Sequence, residues 1–137
     1  MSDAAKPIPA ITEALEPFFR ASGERRLVVQ RCTQCGTRRF PPREICSHCL
    51  GRKSEWAQSS GHGTIVSFNV MHQVYHPGFA GEVPYAVVLV ELDDGGRLIS
   101  NLVDCPLDQI AIGLRVEVTF DAVAENVMLP KFRRVAA

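Results

Sequence analysis

The 137-residue chain has no long apolar run. Ala86-Val87-Val88-Leu89-Val90 is among the longest, far short of the ~20 residues a helix needs to cross a bilayer, so no membrane is expected as a partner. The N-terminal Met-Ser-Asp-Ala-Ala-Lys-Pro-Ile-Pro carries an early acid and two prolines. It lacks the apolar centre of a secretory leader, and a cytoplasmic location is expected. There is no excess of either charge: fifteen Lys and Arg balance fifteen Asp and Glu. That argues against a general polyanion binder while leaving local patches open. No P-loop, G-x-G-x-x-G fingerprint or Ser/His/Asp set is visible, and no nucleophile has an activating base beside it in the chain. The length suits one ordinary domain or two very small ones.

Cysteine, by contrast, is concentrated. Four of the five lie in two tight pairs, Cys32-Thr-Gln-Cys35 and Cys46-Ser-His-Cys49, with ten residues between the pairs. Each C-x-x-C sets two thiolates on one turn, and two such turns supply the tetrahedral S₄ shell that Zn²⁺ favours. A disulfide pair and a thioredoxin-like redox site are the competing readings. In a reducing cytosol, paired knuckles with short loops favour metal over disulfide. The expected ligands are Cys32, Cys35, Cys46 and Cys49, holding a structural Zn²⁺.

Three segments are expected along the chain: a lead-in and short helix over 1–26, a zinc ribbon over 27–58 and a β domain over 59–137. Residues 1–9, with Pro7 and Pro9, read as a loose lead-in. Ile11, Leu15, Phe18 and Phe19 then form one apolar helical stripe. Thr12 is placed to cap its first turn, Pro17 to break or restart the helix, and Gly23 to end it. The stripe is too short to be stable alone. It packs on the chain's own core, the usual fate of such a face, or in a partner's groove.

In the ribbon, Leu27–Arg31 reads as a strand entering the first knuckle and Arg38-Arg39-Phe40 as the return. Pro41-Pro42 bends the chain toward the second knuckle, and Glu55-Trp56-Ala57 reads as the last ribbon strand. So small a segment buries little core, so the metal supplies much of its folding free energy. Arg31, Arg38, Arg39, Arg43, Arg52 and Lys53 surround the cysteines in sequence. They either offset the −2 charge of a Zn(S)₄ centre or form an anion-binding face.

After residue 60 the pattern changes. Ser59–Gly63 reads as a turn or linker. Thr64–Val70, Tyr85–Leu92, Leu98–Val103 and Arg115–Phe120 read as strands, with a fifth near Met128–Val135. Val116, Val118 and Phe120 alternate with Arg115, Glu117 and Thr119, and Asp94-Gly95-Gly96 marks a tight hairpin. Five short strands without a long helix predict a small closed barrel, most simply an OB fold. The chain as a whole is expected to be mainly β.

Cys105 stands between Asp104 and Pro106 with no local base, and reads as a small buried residue rather than a reactive thiol. His72 and His76 flank Gln73-Val74-Tyr75 next to Pro77-Gly78. They are expected in a loop, where ligand contact is one role open to them.

The order of these parts resembles a known family: stand-alone proteins joining a rubredoxin-like zinc ribbon to an acyl-CoA-associated OB fold. The matching residues are the Cys32–Cys35 knuckle with Gly36, Phe40-Pro41-Pro42-Arg43, the Cys46–Cys49 knuckle, and Ser60-Gly61-His62-Gly63-Thr64. They continue through His76-Pro77-Gly78-Phe79, Pro84-Tyr85, Glu91-Leu92-Asp93 and Ile112-Gly113-Leu114-Arg115-Val116. Leu50 follows the second knuckle where rubredoxin itself carries glycine, so the resemblance does not extend to an iron redox centre. It implies an accessory subunit of thiolase-like enzymes acting on acyl-CoA: thiolases, hydroxymethylglutaryl-CoA synthase assemblies or side-chain aldolases. There the partner holds the nucleophile, and acyl-CoA is a ligand the two can share. Arg38, Arg39 and Arg43 are the expected contacts to CoA phosphates, since guanidinium matches phosphate geometry.

Two other functions remain open at this stage. Ribbons and OB folds both bind nucleic acid elsewhere. Against that, the segment after residue 60 has nine acids (Glu82, Glu91, Asp93, Asp94, Asp104, Asp108, Glu117, Asp121, Glu125) and five bases (Arg97, Arg115, Lys131, Arg133, Arg134). Strand-binding barrels usually present a positive groove with stacking aromatics. The other reading is an independent enzyme using His72 or His76 on a thioester.

Overall fold

The computed structural model describes residues 6–135; the outermost residues of the expected first and last segments, 1–5 and 136–137, lie outside it. The elements are one helix, α1 (Glu16–Gly23), then the ribbon strands β1 (Val28–Cys32), β2 (Arg38–Arg39) and β3 (Ser54–Gln58). The barrel strands follow: β4 (His62–Met71), β5 (Tyr85–Leu92), β6 (Arg97–Val103), β7 (Arg115–Ala124) and β8 (Val127–Arg134). The ribbon is a three-stranded antiparallel sheet in the order β2-β1-β3. The remaining five strands close a barrel in the order β4-β5-β6-β8-β7, with β6 and β8 parallel and the other pairs antiparallel. This is the Greek-key order of an OB fold. Among the described residues no helix is long and apolar enough to cross a membrane.

The barrel follows its period-two pattern. Ala86, Val88, Val90 and Leu92 of β5 are buried, while the residues between them are half-buried or exposed. Ile65, Val116 and Phe132 fill the interior. The expected turn at Asp94-Gly95-Gly96 joins β5 to β6, with Leu92 N–H bonded to the Gly96 carbonyl at 2.9 Å. Strands β4 and β7 run further than their apolar alternation predicts. β7 continues to Ala124 because β8 pairs with it along that whole length, apart from one irregularity near its end.

Four expectations need correction, the last of them at Ser59–Gly63. Thr12 does not cap the helix: its carbonyl accepts from Leu15 N at 3.0 Å in a preceding turn, and α1 begins at Glu16 with no side-chain cap. Pro17 does not interrupt α1 but sits in its first turn, where a missing N–H costs nothing. The lead-in is tied down, since Lys6 pairs with Glu82 at 2.6 Å and stands 5.7 Å from the Phe79 ring centre.

Ser59–Gly63 is not a loose linker. Ser59 is buried, Gly61 accepts from Val118 N, and His62 already begins β4. Gly61 has φ +80°, and a Cβ there meets Val118 Cγ1 at 2.4 Å, so only glycine fits.

The ribbon is seated on the barrel. Phe18, Ala21, Leu27, Val28 and Val29 belong to one buried cluster with the barrel interior, and the Phe18 ring lies 4.6 Å from that of Phe40. Phe18 and Phe19 of the apolar stripe thus pack within the chain, whereas Ile11 is exposed.

Asp94, in the β5–β6 turn, ties the two parts together. It accepts from Ser59 Oγ at 2.8 Å and Ser60 N at 2.7 Å, and Arg38 of the ribbon lies 3.8 Å away. Next to it, Asp93 takes two bonds from Arg115, at 2.7 and 2.6 Å, clamping the start of β7 to the end of β5. The Arg115 guanidinium holds the Asp93 carboxyl below its ordinary range.

Asp94→Ala removes two bonds to a charged acceptor at the joint, so a loss of about 1–3 kcal/mol is expected. A urea midpoint shifted down with an unchanged slope checks it. Because the folded pKa of Asp93 is lowered, its contribution is full above the unfolded value and fades as pH falls through the folded one. Asp93→Asn is therefore expected to flatten the acid side of the stability–pH curve and leave the alkaline side unmoved.

Candidate metal centre

The two knuckles are built alike. In the first, Gly36 N donates to the Cys32 carbonyl at 2.9 Å; in the second, Leu50 N donates to the Cys46 carbonyl at 2.9 Å. Both residues are left-handed, Gly36 at φ +80° and Leu50 at φ +65°. The turns are pinned from outside as well, by Cys32 N to the Thr37 carbonyl and Cys46 N to the Gly51 carbonyl, each 2.9 Å.

These turns bring the four predicted sulfurs together. Sγ atoms of Cys32, Cys35, Cys46 and Cys49 all lie within 4.8 Å of one another. Cys32 to Cys49 and Cys35 to Cys46 are each 3.6 Å apart. A tetrahedron with Zn–S bonds of about 2.3 Å has an edge of about 3.8 Å, whereas a disulfide needs about 2.05 Å. All five cysteines are free. Cys32 and Cys46 are fully buried, while Cys35 and Cys49 are open to solvent.

Backbone N–H groups point at the sulfurs, from His48 to Cys46 and from Gly51 to Cys49, both 3.4 Å. The Thr37 hydroxyl, 3.2 Å from Cys35, and the Thr37 amide hold the Cys35 thiol down to about 5. At Cys49 the Gly51 amide favours ionisation, but the neighbouring sulfurs, Cys32 first, outweigh it and push the thiol up to about 12. Four thiols this close compete for charge, and a divalent cation resolves the competition. Donor set, spacing and N–H···S bonds fit a structural Zn²⁺.

The basic residues around the centre divide into two groups. Arg31 pairs with Glu55 at 2.6 Å. Arg38 donates to the Gln58 carbonyl at 3.1 Å besides facing Asp94. Arg39 donates to the Arg43 carbonyl at 2.8 Å, and its Nε and Nη1 are buried without partners among the described residues. Arg43, Arg52 and Lys53 are exposed and form no ion pair among the described residues. Of the three arginines expected at a CoA phosphate, only Arg43 has a side chain without a hydrogen-bond or ion-pair partner among the described residues. It lines a groove of about 520 Å³ with Glu13, Pro17, Gln30, Arg52 and Trp56. Sequence reading missed Gln30 and Trp56 here. They are cross-strand neighbours on one ribbon face, a relation set by register.

Elsewhere, Cys105 is half-buried and packs against the core. His76 and His72 lie between β4 and β5, as expected for a loop. His76 Nδ1 accepts from Gly78 N at 2.9 Å, which caps the short 3₁₀ turn Pro77–Phe79. His72 is exposed.

Comparison with known proteins agrees with this architecture. The family model of the ChsH2 rubredoxin-like zinc ribbon domain matches residues 21–55. The model of the ChsH2 C-terminal OB-fold domain matches residues 56–121. A probable enoyl-CoA hydratase alpha subunit of Thermomonospora curvata is 41% identical over 130 residues, 95% of this chain but only 40% of that protein. A DUF35 domain-containing scaffold protein of Methanocaldococcus jannaschii is 37% identical over 102 residues, 73% of this chain and 71% of that protein. Among solved structures, a chain of the Ltp2-ChsH2(DUF35) aldolase superimposes with a TM-score of 0.84 at 40% identity, covering 94% of this chain and all of that one. With a sulfur-lined ribbon seated on an OB barrel and relatives of this kind along most of its length, the chain belongs to the DUF35 family of ChsH2-type zinc ribbon and OB-fold proteins.

Proposed function

We propose that the protein is a zinc-stabilised, non-catalytic accessory subunit of a thiolase-like acyl-CoA enzyme. The observation that carries this reading is the match along 94% of the chain to a complete chain of the Ltp2-ChsH2(DUF35) aldolase. The names of two further relatives, an enoyl-CoA hydratase alpha subunit and a scaffold protein, point the same way. The absence of a nucleophile–base pair in the sequence supports it from the chemical side. In this reading the lead-in with its helix (1–26), the ribbon (27–58) and the OB domain (59–137) form one brace in the cytoplasm. Cys32, Cys35, Cys46 and Cys49 hold one Zn²⁺, and the partner carries the nucleophile. Acyl-CoA is the shared ligand, with Arg43 as this chain's contact to its phosphates.

Two measurements test the metal. Protein purified without chelator is expected to contain one zinc per chain. Zinc binding requires thiolates, so the metal is retained at neutral and alkaline pH and released as acid protonates the sulfurs. Cys46→Ala is expected to abolish metal binding and amide protection in β1–β3 while β4–β8 stay partly protected. Survival of ribbon protection in that variant removes the structural role of the metal.

Co-expression with thiolase-fold proteins of the same cell tests the partner. A complex stable in gel filtration is expected, of the size class that buries about 1,200–2,000 Å² or more, and chelation of zinc dissolves it. The chain alone is expected to leave acyl-CoA unchanged. The reading fails if no such protein co-elutes or gains activity, or if the lone chain turns over acyl-CoA.

A further inference from the structure

The second knuckle departs from the first at one position. Gly36 and Leu50 hold the same place after the second cysteine of their knuckles, and both are left-handed. Among the described residues, the other non-glycine positions with positive φ are Arg25, Asp104 and Asn126. Asp and Asn tolerate that conformation through local hydrogen bonds, but a leucine is strained there. The strain is not offset by burial. Leu50 is 74% exposed, more than any other large apolar side chain among the described residues. Ile45, on the other side of the same turn, is 41% exposed, and Leu50 N to the Cys46 carbonyl and Cys46 N to the Gly51 carbonyl hold the two flanks together.

The charges next to this tip follow a pattern. Arg52 and Lys53 follow it and Arg43 precedes it; all three lack ion pairs within the described residues, against two acids, Glu44 and, in the groove shared with Arg43 and Arg52, Glu13. An exposed apolar centre with a polar, charged rim is the anatomy of a protein interface. The net positive rim selects the occupant. A second copy of this chain would set Arg52 and Lys53 against the same cations, so self-association through this face is repulsive.

We propose that the Ile45–Leu50 tip is a docking knob, inserted into an apolar pocket with an acidic rim on the partner enzyme subunit. The proposal rests on the accessory-subunit reading above. The zinc fixes the knob's shape: Cys46 and Cys49 lie inside the turn that carries it, so its two apolar side chains are presented on a rigid support. Rigid presentation lowers the ordering cost of binding. Leucine at the left-handed position is then retained for contact, in conflict with what the local backbone prefers.

The test separates contact from folding because the two roles oppose each other at Leu50. Leu50→Gly relieves the backbone and removes the knob. The isolated variant is expected to keep one zinc per chain and melt no lower than the wild type, while binding the co-eluting thiolase-fold protein about tenfold or more weakly. Leu50→Asn, also tolerated at positive φ, repeats the test independently of glycine's flexibility. Arg52→Glu with Lys53→Glu is expected to slow association and to flatten its dependence on salt.

If no thiolase-fold protein co-elutes with the wild type, the accessory reading falls and the knob with it. If the wild type binds and both Leu50 variants bind within twofold of it, the knob alone is overturned. Loss of zinc from both Leu50 variants overturns it too, since Leu50 is then structural. A wild-type chain that dimerises through this tip overturns the choice of occupant.

Discussion

Four thiols whose sulfurs converge within 4.8 Å cannot all carry charge beside one another without a cation, and the ribbon depends on how that conflict is resolved. Thiolates at that spacing repel one another strongly, and the Thr37 hydroxyl and the Gly51 amide each favour charge on the sulfur they face. A divalent metal lets all four ionise and cross-links the two knuckles. One of the three ribbon strands is two residues long, and a sheet that small is marginal in water on its own. With the knuckles closed, β1 becomes a fixed strand, and its buried Val28 and Val29 can join the barrel's core.

The metal's influence therefore reaches beyond the ribbon. The β5–β6 turn packs directly on β2, where a Cβ on Gly95 stands 3.3 Å from Arg38 Cβ. Asp94 in that turn gathers the chain between ribbon and barrel through Ser59 and Ser60, and Asp93 beside it grips Arg115 at the start of β7. One tight turn thus touches the ribbon, the connecting segment and the closing strand of the barrel. Helix α1 adds a second brace by placing Phe18 against Phe40. These joints all lie between the ribbon and one end of the barrel.

Much of this was legible in the sequence because it rests on local rules. The cysteine spacing gives both knuckles, since each needs only a turn and two thiols. The alternation along Tyr85–Leu92 gives β5 within the limits found, because both are set by one apolar face. The hairpin at Asp94-Gly95-Gly96 follows from turn chemistry. What was illegible depends on tertiary partners. The seat of Ser59–Gly63 follows from a carboxylate thirty-odd residues away, so a composition typical of linkers misleads. The extension of β7 to Ala124 is set by pairing with β8, not by its own pattern. The fates of Arg38 and Arg39, bound to carbonyls of Gln58 and Arg43, follow from strand register. Sequence alone treats those two as equals of Arg43, and the folded chain does not.

Local preference and fold disagree at Leu50, the residue on which the docking proposal turns. Most of the chain is consistent across levels: pattern, turns and packing agree, as expected of a sequence that specifies one structure. At Leu50 they conflict twice, since a branched apolar residue occupies a left-handed turn and faces solvent. Neither feature stabilises the isolated chain, and glycine at the equivalent position of the first knuckle shows that the turn does not require leucine. The docking proposal gives this residue a role outside the monomer. The uncommitted cations follow the same logic. Among the described residues Arg43, Arg52 and Lys53 form no ion pair, while Arg31 and Arg38 face carboxylates of their own chain. Charge neutralisation of the zinc centre explains a general excess of bases, but not why the unpaired ones cluster beside the second knuckle. The proposed docking contact accounts for both the strain and the charge.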